Sequence, residues 1–368
     1  MTVCLIMFAY VGVFGYLIQY YHNNGKNPKY DSKISLFGAV LVFALPVFFI
    51  GMRTDFGDTH AYITDYNELS LDFSQIWENR QDTKGIGFDI YMYIIKRYIS
   101  SDYNVFLMIT ACIQAIGLVK LYYKYSINYT YSVLLFFLSM SFTNMMNGMR
   151  QFLAASIIFL FVDYLFKKKA LAFIFIALIA FSIHASAIVW IPIFFVVQGK
   201  PWNIKMIFSM LLVVVAIFTL DTFTDILSDS LEGTNYEGYT NQFAKDDGAS
   251  FIHTIIAAIP ALLALWKRKD IEAKGSNIVF ILINCSIAAT MINLLANFTS
   301  GILIGRIPSY FTPFGYVLLP WLFENVMEDK DKRLVRSLCL IFYLLYALYY
   351  MYSQGTFYMS EKLGISNY

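Results

Sequence analysis

Charge is scarce in this 368-residue chain: Asp, Glu, Lys and Arg together make up 14% of it, against about 25% in a typical soluble domain. Apolar residues make up 58%, in runs close to the roughly 20 residues that a helix needs to cross a bilayer. This composition excludes an ordinary soluble enzyme. It predicts an all-α, polytopic membrane protein that forms one bundle over residues 1–368. The net charge of +2 is too small to indicate a nucleic-acid partner.

Residue patterns typical of cofactor and metal sites are lacking too. The four cysteines lie singly in apolar segments without a CxxC pair, as small core residues do, and the four histidines are far apart. The chain has no P-loop and no GxGxxG, so it has no recognisable nucleotide site. We therefore expect no cofactor and no metal. The first apolar segment lacks a basic region and a small-residue cleavage site, which indicates a retained helix rather than a signal peptide.

What the chain does have is a series of apolar segments. Twelve of them are predicted to span the membrane: 3–21, 33–51, 103–121, 130–146, 150–166, 170–183, 186–198, 204–220, 251–266, 277–297, 307–325 and 334–353. An even number of spans places both termini on one side. Eighteen of the 27 Lys and Arg residues fall in one alternate set of connections. The positive-inside rule predicts that this set is cytoplasmic and that both termini are outside.

Two connections on the predicted outer side are long. The first, residues 52–102, contains an apolar stripe at helical spacing that predicts a helix lying in the membrane interface. The stripe consists of Phe88, Tyr91, Met92, Ile95, Tyr98 and Ile99. The second, residues 221–250, holds seven Asp or Glu residues and one Lys. This acidic loop is either a solvated surface or a lid over a sugar-binding groove, with Tyr236 and Tyr239 as stacking surfaces.

An arginine interrupts the apolar run from Tyr131 to Phe166. Burying Arg150 in the middle of one long helix would cost about 2.5–3.5 kcal/mol on insertion scales. Two shorter helices that meet at Asn147-Gly148, a favourable turn pair, would keep the guanidinium at polar depth instead. We therefore predict a helix hairpin whose tip carries Arg150 at the outer membrane surface.

Three arginines are predicted to lie on that outer face. Arg53 follows the second span, Arg150 is at the hairpin tip, and Arg306 precedes the eleventh span. A guanidinium offers paired donors that match phosphate oxygens, so these arginines, with Gln151 beside Arg150, are candidate ligands for a diphosphate. The alternative is that they are interfacial arginines that extend to lipid headgroups.

Two further residues are candidates for proton transfer or phosphate binding. His184 lies between two short apolar runs, where it could act as a base or donate a hydrogen bond to a phosphate; a structural role at a helix end is the alternative. Asp58 could deprotonate a sugar hydroxyl or orient a guanidinium, and Asp55 is a weaker candidate of the same kind. The sequence leaves open which of His184 and Asp58 is the base.

Four blocks of sequence resemble the EpsG-like branch of the Wzy-type bacterial polysaccharide polymerases, over roughly residues 35–315. The blocks are Gly51-Met52-Arg53 with Gly57-Asp58 and Tyr62, Asn147-Gly148-Met149-Arg150-Gln151 with Ala154, Ile179-Ala180-Phe181-Ser182-Ile183-His184-Ala185-Ser186-Ala187, and Gly305-Arg306 with Tyr310-Phe311. Relatives often carry an acidic residue just before the Gly-Phe of the surface helix. This chain has Lys84 there, with Asp82 and Asp89 as stand-ins.

The resemblance implies a multispanning glycosyltransferase related to the GT-C architecture, in the bacterial cytoplasmic membrane. Such an enzyme transfers a growing glycan from an undecaprenyl-diphosphate carrier to a lipid-linked repeat unit on the outer side, for exopolysaccharide, capsule or O-antigen. The expected partners are polyprenyl-diphosphate-linked oligosaccharides, membrane lipid, and a chain-length regulator and a flippase of the same pathway.

Two other functions compete with this one. A transporter or flippase for lipid-linked glycans would use the same arginines, but it predicts polar residues spread through the membrane depth rather than gathered at one face. A membrane O-acyltransferase would need access to a cytoplasmic acyl donor, whereas His184 is predicted on the outer side.

Overall fold

The structure is a computed structural model, and it describes residues 1–23, 34–78, 85–219, 250–299, 304–353 and 358–366. These residues are mostly helical. Within them there is no sheet, only two isolated bridges, Asp55–Met359 and Ser360–Ile365. The predicted all-α class is therefore confirmed. Some helices begin where a preceding side chain accepts an N–H of the first turn, as Ser35 and Asp102 do.

Helices form at every predicted apolar segment and also in some of the connections between them. In chain order they are α1 (Thr2–His22), α2 (Leu36–Gly51), α3 (Thr59–Glu68), α4 (Phe73–Glu78), α5 (Ile86–Tyr98), α6 (Tyr103–Tyr125), α7 (Tyr129–Leu138), α8 (Met149–Leu160), α9 (Asp163–Phe166), α10 (Ala170–Ile183), α11 (Trp190–Val196), α12 (Ile204–Phe218), α13 (Phe251–Trp266), α14 (Arg268–Lys274), α15 (Asn277–Ala296), α16 (Thr312–Asn325) and α17 (Asp329–Ser353). Short 3-10 helices lie at Ser141–Met145, Ala185–Val189 and Ile307–Tyr310. Each of the twelve predicted segments overlaps at least one helix.

Within the described residues, four helices are long and apolar enough to cross a membrane, namely α1, α6, α15 and α17. α13 and α14 pass the same test together, as a pair bent by 73°. The other apolar helices have at most 17 residues, which is shorter than a bilayer crossing usually requires. A polytopic membrane protein is therefore confirmed, whereas the prediction of about twelve spans is not.

The chain divides into two compact units, the first being Met1–Ile191 with Met327–Tyr368 and the second Pro192–Val326. In the first unit, polar clusters mark the two ends of α6. Near its C-terminal end, Lys120 (3.2 Å) and Lys124 pair with Asp163, and before its N-terminal end Asp102 pairs with Lys362 at 3.0 Å. These clusters lie about 33 Å apart along the helix. The separation agrees with the two predicted faces, and which face is outside stays a prediction.

The helix predicted in the first long connection is present as α5. Its side chains Phe88, Met92 and Ile95 are each 2% exposed, and the rings of Phe88 and Tyr91 lie 6.2 and 6.1 Å from that of Phe106 in α6. The first part of the stripe is therefore covered by protein, whereas Tyr98 and Ile99 at its end are exposed. That this helix lies in the membrane interface stays a prediction.

In the second unit, α15 packs against α13 and α16. One face of α15 carries a row of polar side chains, Ser286, Thr290, Asn293 and Asn297. Asn297 Nδ2–H donates to Thr254 Oγ1 of α13 (2.8 Å), whereas the Thr290 hydroxyl donates to the Ser286 carbonyl of its own helix (2.8 Å) and lies 3.2 Å from the Ala257 carbonyl of α13. Ser286 and Asn293 donate to carbonyls within α15, so hydrogen bonds within and between the two helices account for the row.

Candidate functional site

Arg53 lies just beyond the end of α2 and is fully buried, with 0% of its surface exposed. Its Nη1–H donates to the carbonyl of Ile50 (2.5 Å), its Nε–H to Thr59 Oγ1 (2.9 Å) and its Nη2–H to Met149 Sδ (3.1 Å). Burial lowers the pKa of Arg53 to about 10, so the guanidinium is charged at neutral pH. Arg53 therefore ties the loop after α2 to the start of α8, and in this arrangement it presents no surface to a ligand.

The apolar run from Tyr131 to Phe166 is broken close to Arg150, as predicted, whereas a hairpin with its tip at the membrane surface stays a prediction. α7 ends at Leu138, a short 3-10 helix follows, and Gly148 has φ = 80° directly before α8 begins. The break takes about ten residues rather than one Asn-Gly turn. Its side chains Met145 and Met149 are buried, so the turn is covered by protein instead of projecting from it.

The loop that holds Arg53 provides this cover. Gly57 has φ = 55°, a left-handed conformation that favours glycine, and a Cβ built on it would lie 2.6 Å from Asn147 Cγ. The main chain approaches so closely because residue 57 has no side chain. Gly57 and Arg53 belong to the first block of the family-like motif, and their partners Asn147 and Met149 belong to the second. The structure therefore brings these two blocks together.

Arg150 lies in the first turn of α8 and is partly exposed. Its guanidinium carbon is 5.7 Å from the centre of the Phe88 ring, a cation–π distance. Among the residues that the structure describes, the guanidinium contacts no carboxylate and donates to no acceptor. Phe88 itself packs against Tyr62, with 6.0 Å between ring centres. Arg150 thus combines a permanent positive charge, five N–H donors and an aromatic wall.

Gln151 follows Arg150 but points to a different environment. It is only 4% exposed, and its amide nitrogen has no hydrogen-bond partner among the described residues. A buried donor left in this state costs about 1–3 kcal/mol. Nearby in sequence, the Met149 carbonyl does accept a hydrogen bond, from Gln114 Nε2 of α6 at 3.0 Å. Gln151 therefore remains a candidate only through an amide that lies inside the protein.

α5 connects Arg150 to the segment that contains His184. A Cβ built on Gly87 would lie 2.3 Å from Ser182 Oγ, so the start of α5 touches the end of α10 just before His184. One residue further on, Phe88 contacts Arg150. α8 also packs against the 3-10 helix that follows His184. The third block of the motif therefore joins the first two.

His184 is partly exposed and caps that 3-10 helix. Its Nδ1 accepts the main-chain N–H of Ser186 (3.3 Å) and lies 2.7 Å from the Ser186 hydroxyl oxygen. An accepting Nδ1 places the proton of the neutral imidazole on Nε2. In this tautomer the ring is arranged to donate a hydrogen bond from Nε2, because Ser186 already occupies the basic nitrogen.

The acidic candidates have different surroundings. Asp58 is partly exposed at the start of α3 and follows Gly57, so its main chain lies beside the break at Asn147. Asp55 pairs through its main chain with Met359. Asp89 is partly buried in the first turn of α5. Asp82 lies outside the described residues. So does almost all of the acidic loop, residues 220–249, which includes Tyr236 and Tyr239.

Arg306 belongs to the second unit. It is partly exposed in the turn before the 3-10 helix Ile307–Tyr310, and its carbonyl accepts a hydrogen bond from Ser309 Oγ at 2.7 Å. Its predicted convergence with Arg53, Arg150 and His184 stays a prediction. Within the part of the chain that the structure covers, no group of three or more His, Cys, Asp or Glu residues is arranged to hold a metal ion.

Sequence reasoning missed two contributors to this region. Phe88 was identified only as a member of an apolar stripe, although its position after Gly85-Ile86-Gly87 was visible. The segment of residues 358–366 was missed entirely: the Thr54 N–H donates to the Met359 carbonyl (2.9 Å), and the Ser360 hydroxyl donates to the Met52 carbonyl (2.5 Å). About 300 residues of chain separate these partners, and no local pattern reports such a contact.

The fold and this site define a polytopic helical membrane protein in which three polar motif blocks meet in one unit. The sequence matches the EpsG family over residues 36–365, nearly the whole chain. The chain belongs to the EpsG family, so the resemblance drawn from the four blocks is confirmed. This family is associated with exopolysaccharide polymerases. No curated protein and no solved structure matches the chain. The GT-C part of the fold prediction therefore stays a prediction.

Proposed function

We propose that the protein is a membrane glycosyltransferase that polymerises a bacterial polysaccharide. It transfers a growing glycan from an undecaprenyl-diphosphate carrier to the terminal sugar of a lipid-linked repeat unit, on the outer side of the cytoplasmic membrane. Membership in the EpsG family supports the polymerase part of the proposal. The resemblance described above supports the lipid-linked donor, the outer side, and a flippase and a chain-length regulator as partners in the pathway.

The observation that carries the proposal is the state of Arg150. A guanidinium is effectively always charged, and this one lies over Phe88 with no counterion and no acceptor among the described residues. A cation in this setting attracts an anion with several oxygens, and a diphosphate supplies oxygens in pairs that match the guanidinium fork. Gln151 follows Arg150 in the chain, and its buried amide nitrogen has no acceptor within the part of the chain that the structure describes.

The reaction requires stabilisation of the negative charge on the leaving diphosphate and removal of the proton from the acceptor hydroxyl. The bond between the anomeric carbon and the diphosphate oxygen breaks, and the diphosphate leaves with the electron pair. The acceptor hydroxyl oxygen forms the new bond to the anomeric carbon and loses its proton. Arg150 and His184, the latter through Nε2–H, stabilise the leaving diphosphate, and Asp58 accepts the proton. Arg53 acts through Met149 and positions the turn that carries Arg150.

The alternative function is transport of a lipid-linked glycan. The polar row on α15 is the feature that would support it, since a transport pathway needs polar groups through the membrane depth. Hydrogen bonds to carbonyls of α15 itself and, from Asn297, to Thr254 of α13 account for this row without a transport pathway. Arg53, Arg150, Asp58 and His184 all belong to the first unit, which supports the enzyme.

Incubating the purified protein with lipid-linked repeat units and separating the products on a gel tests the proposal. We expect a ladder of glycans, and Arg150→Ala should reduce its rate of formation about 100-fold or more, as loss of a charge-stabilising donor does. Arg97→Ala is the matched control, because Arg97 is exposed in the last turn of α5 and makes no contact of this kind. Unextended single units from the wild-type protein would contradict the polymerase proposal, and ladders that form at equal rates in Arg150→Ala and Arg97→Ala would contradict the role of Arg150.

A further inference from the structure

Residues 358–366 lie across the loop that holds Arg53. Tyr358 Oη–H donates to the Phe49 carbonyl (2.7 Å), and the Ser360 hydroxyl donates to the Met52 carbonyl (2.5 Å). The Glu361 N–H donates to Thr54 Oγ1 (3.3 Å). Ser360 is fully buried. We call residues 358–366 the clasp.

The main chain of the clasp also pairs with the loop. The N–H groups of Thr54 (2.9 Å) and Asp55 (3.4 Å) both donate to the Met359 carbonyl, and the Met359 N–H donates back to Asp55 (3.1 Å). Within the clasp, Ser360 and Ile365 exchange both main-chain hydrogen bonds at 2.9 Å. The clasp is therefore a small hairpin with one edge bonded to residues 49–55, not a tail that rests on a surface.

Arg53 lies in the middle of the loop that the clasp covers. The bonds from the clasp reach both sides of it, at Met52 and at Thr54. Arg53 in turn donates to Met149 Sδ, one residue before Arg150. A continuous set of contacts therefore runs from the clasp through the loop and Arg53 to the turn that carries Arg150.

We propose that the clasp is a positioning element of the candidate site, and that Tyr358 and Ser360 hold the Arg150 turn in place through Arg53. The choice of a diphosphate as the ligand of Arg150 rests on the proposed function, whereas the mechanical connection does not. Because the loop is bonded at several points along its length, loss of the two side-chain bonds loosens it without unfolding the helices.

Hydrogen exchange of the purified protein tests the connection without any substrate. In the double variant Tyr358→Phe/Ser360→Ala, we expect the main-chain N–H groups of residues 49–56 and also of residues 145–151 to exchange about fivefold faster or more, the change that follows from about 1 kcal/mol of lost stabilisation. Glu361→Gln is the control, because Glu361 engages the loop through its main chain only. Faster exchange confined to residues 49–56 would overturn the proposal, since it would show a local role alone.

A disulfide between the clasp and the loop should change the exchange rate in the opposite direction. It also tests the proposal if the double variant does not fold. Thr54→Cys/Glu361→Cys, in a Cys112→Ala background, replaces the bond between these residues with a disulfide. Oxidation should slow exchange at residues 145–151 relative to the reduced protein. Absence of the cross-link, or equal exchange in both forms, would also overturn the proposal.

Ligand binding then separates this proposal from the proposed function. Farnesyl diphosphate should stabilise the wild-type protein against heating, and its apparent affinity should fall about fivefold in Tyr358→Phe/Ser360→Ala and remain unchanged in Glu361→Gln. If the wild-type protein does not bind the diphosphate while the exchange results hold, the diphosphate assignment fails and the clasp stands. If binding is normal in the double variant and abolished by Arg150→Ala, the clasp fails and the assignment stands.

Discussion

Gly57 and Asn147 touch so closely that no side chain fits between them, since a Cβ on Gly57 would lie 2.6 Å from Asn147 Cγ. This contact joins the loop after α2 to the break before α8. It also makes Gly57 sensitive for two separate reasons, its positive φ and its close neighbour.

Gly57→Ala should therefore lower the free energy of unfolding by about 2–4 kcal/mol, the sum of about 1 kcal/mol for φ and a further 1–3 kcal/mol for overpacking. Gly364→Ala is a control for the first part, because Gly364 has φ = 63° with nothing within 4 Å of a built Cβ. Thermal melting of both variants in detergent measures the difference. Equal melting temperatures would show that Asn147 moves aside without cost.

Arg53→Lys should destabilise the protein although it preserves the charge. A single ammonium group cannot reach Ile50, Thr59 and Met149 as the guanidinium fork does, so at least one hydrogen bond is lost, at about 1–3 kcal/mol for a charged donor. Arg97→Lys, on the exposed end of α5, should melt like the wild type. A melting curve of Arg53→Lys that overlays the wild type would mean that Arg53 does not bind these segments together.

The tautomer of His184 leads to a prediction about its replacement. If the ring donates from Nε2, His184→Gln keeps an N–H donor near that place and should retain activity within about tenfold, whereas His184→Ala should lose about 100-fold or more. Initial rates of ladder formation for the two variants provide the comparison. Equal and complete loss in both would instead identify His184 as the base.

The pKa of Asp102 is held at about 2 by hydrogen bonds from the side chain and main chain of Asn104 and then from Lys362, against a smaller opposing effect of burial. A depressed pKa contributes stability that is present above the ordinary carboxyl pKa and disappears as pH falls through 2. Wild-type protein should therefore melt above Asp102→Asn at pH 6, and the gap should close between about pH 4 and pH 2. A gap that stays constant over this range would contradict the assignment.

Polymerisation should continue in the presence of excess EDTA, because the sequence offers no cluster of residues with metal-ligand spacing. The expected result is an unchanged rate of ladder formation after chelation. Loss of activity that a divalent ion restores would show that a metal takes part and that the ion and Arg150 together stabilise the diphosphate.

Local patterns in the sequence predicted the helices well and the environment of several site residues poorly. Apolar runs are local, so the segments around α1, α6, α15 and α17 could be placed directly. The neighbours of α5 could not: periodicity identified its apolar face, but whether that face meets lipid or Phe106 depends on the fold. The same holds for the number of crossings, since α8 and α10 are too short for their composition alone to decide it.

For the candidate site too, the sequence predicted some features and missed others that depend on the fold. The polar break around Arg150 could be predicted because a charge is costly in an apolar run. In the structure Arg53 contacts Met149 beside this break. The start of α5 contacts both Arg150 and the segment before His184. The sequence could not show that Arg53 is buried, because this depends on acceptors at Ile50, Thr59 and Met149 that are supplied by the fold. Arg306 belongs to the other unit, so its predicted convergence with Arg53, Arg150 and His184 stays a prediction.

The clasp also has a consequence for how the protein is made. Phe49 and Met52 leave the ribosome 309 and 308 residues before the partners that bond to their carbonyls. At a translation rate of about 5–20 residues per second, this is a delay of roughly 15–60 s. In the later part of that interval, after residue 184 has been made, the nascent chain holds Arg53, Arg150 and His184 but still lacks the clasp that covers the Arg53 loop, so maturation of the site is a late event of biosynthesis.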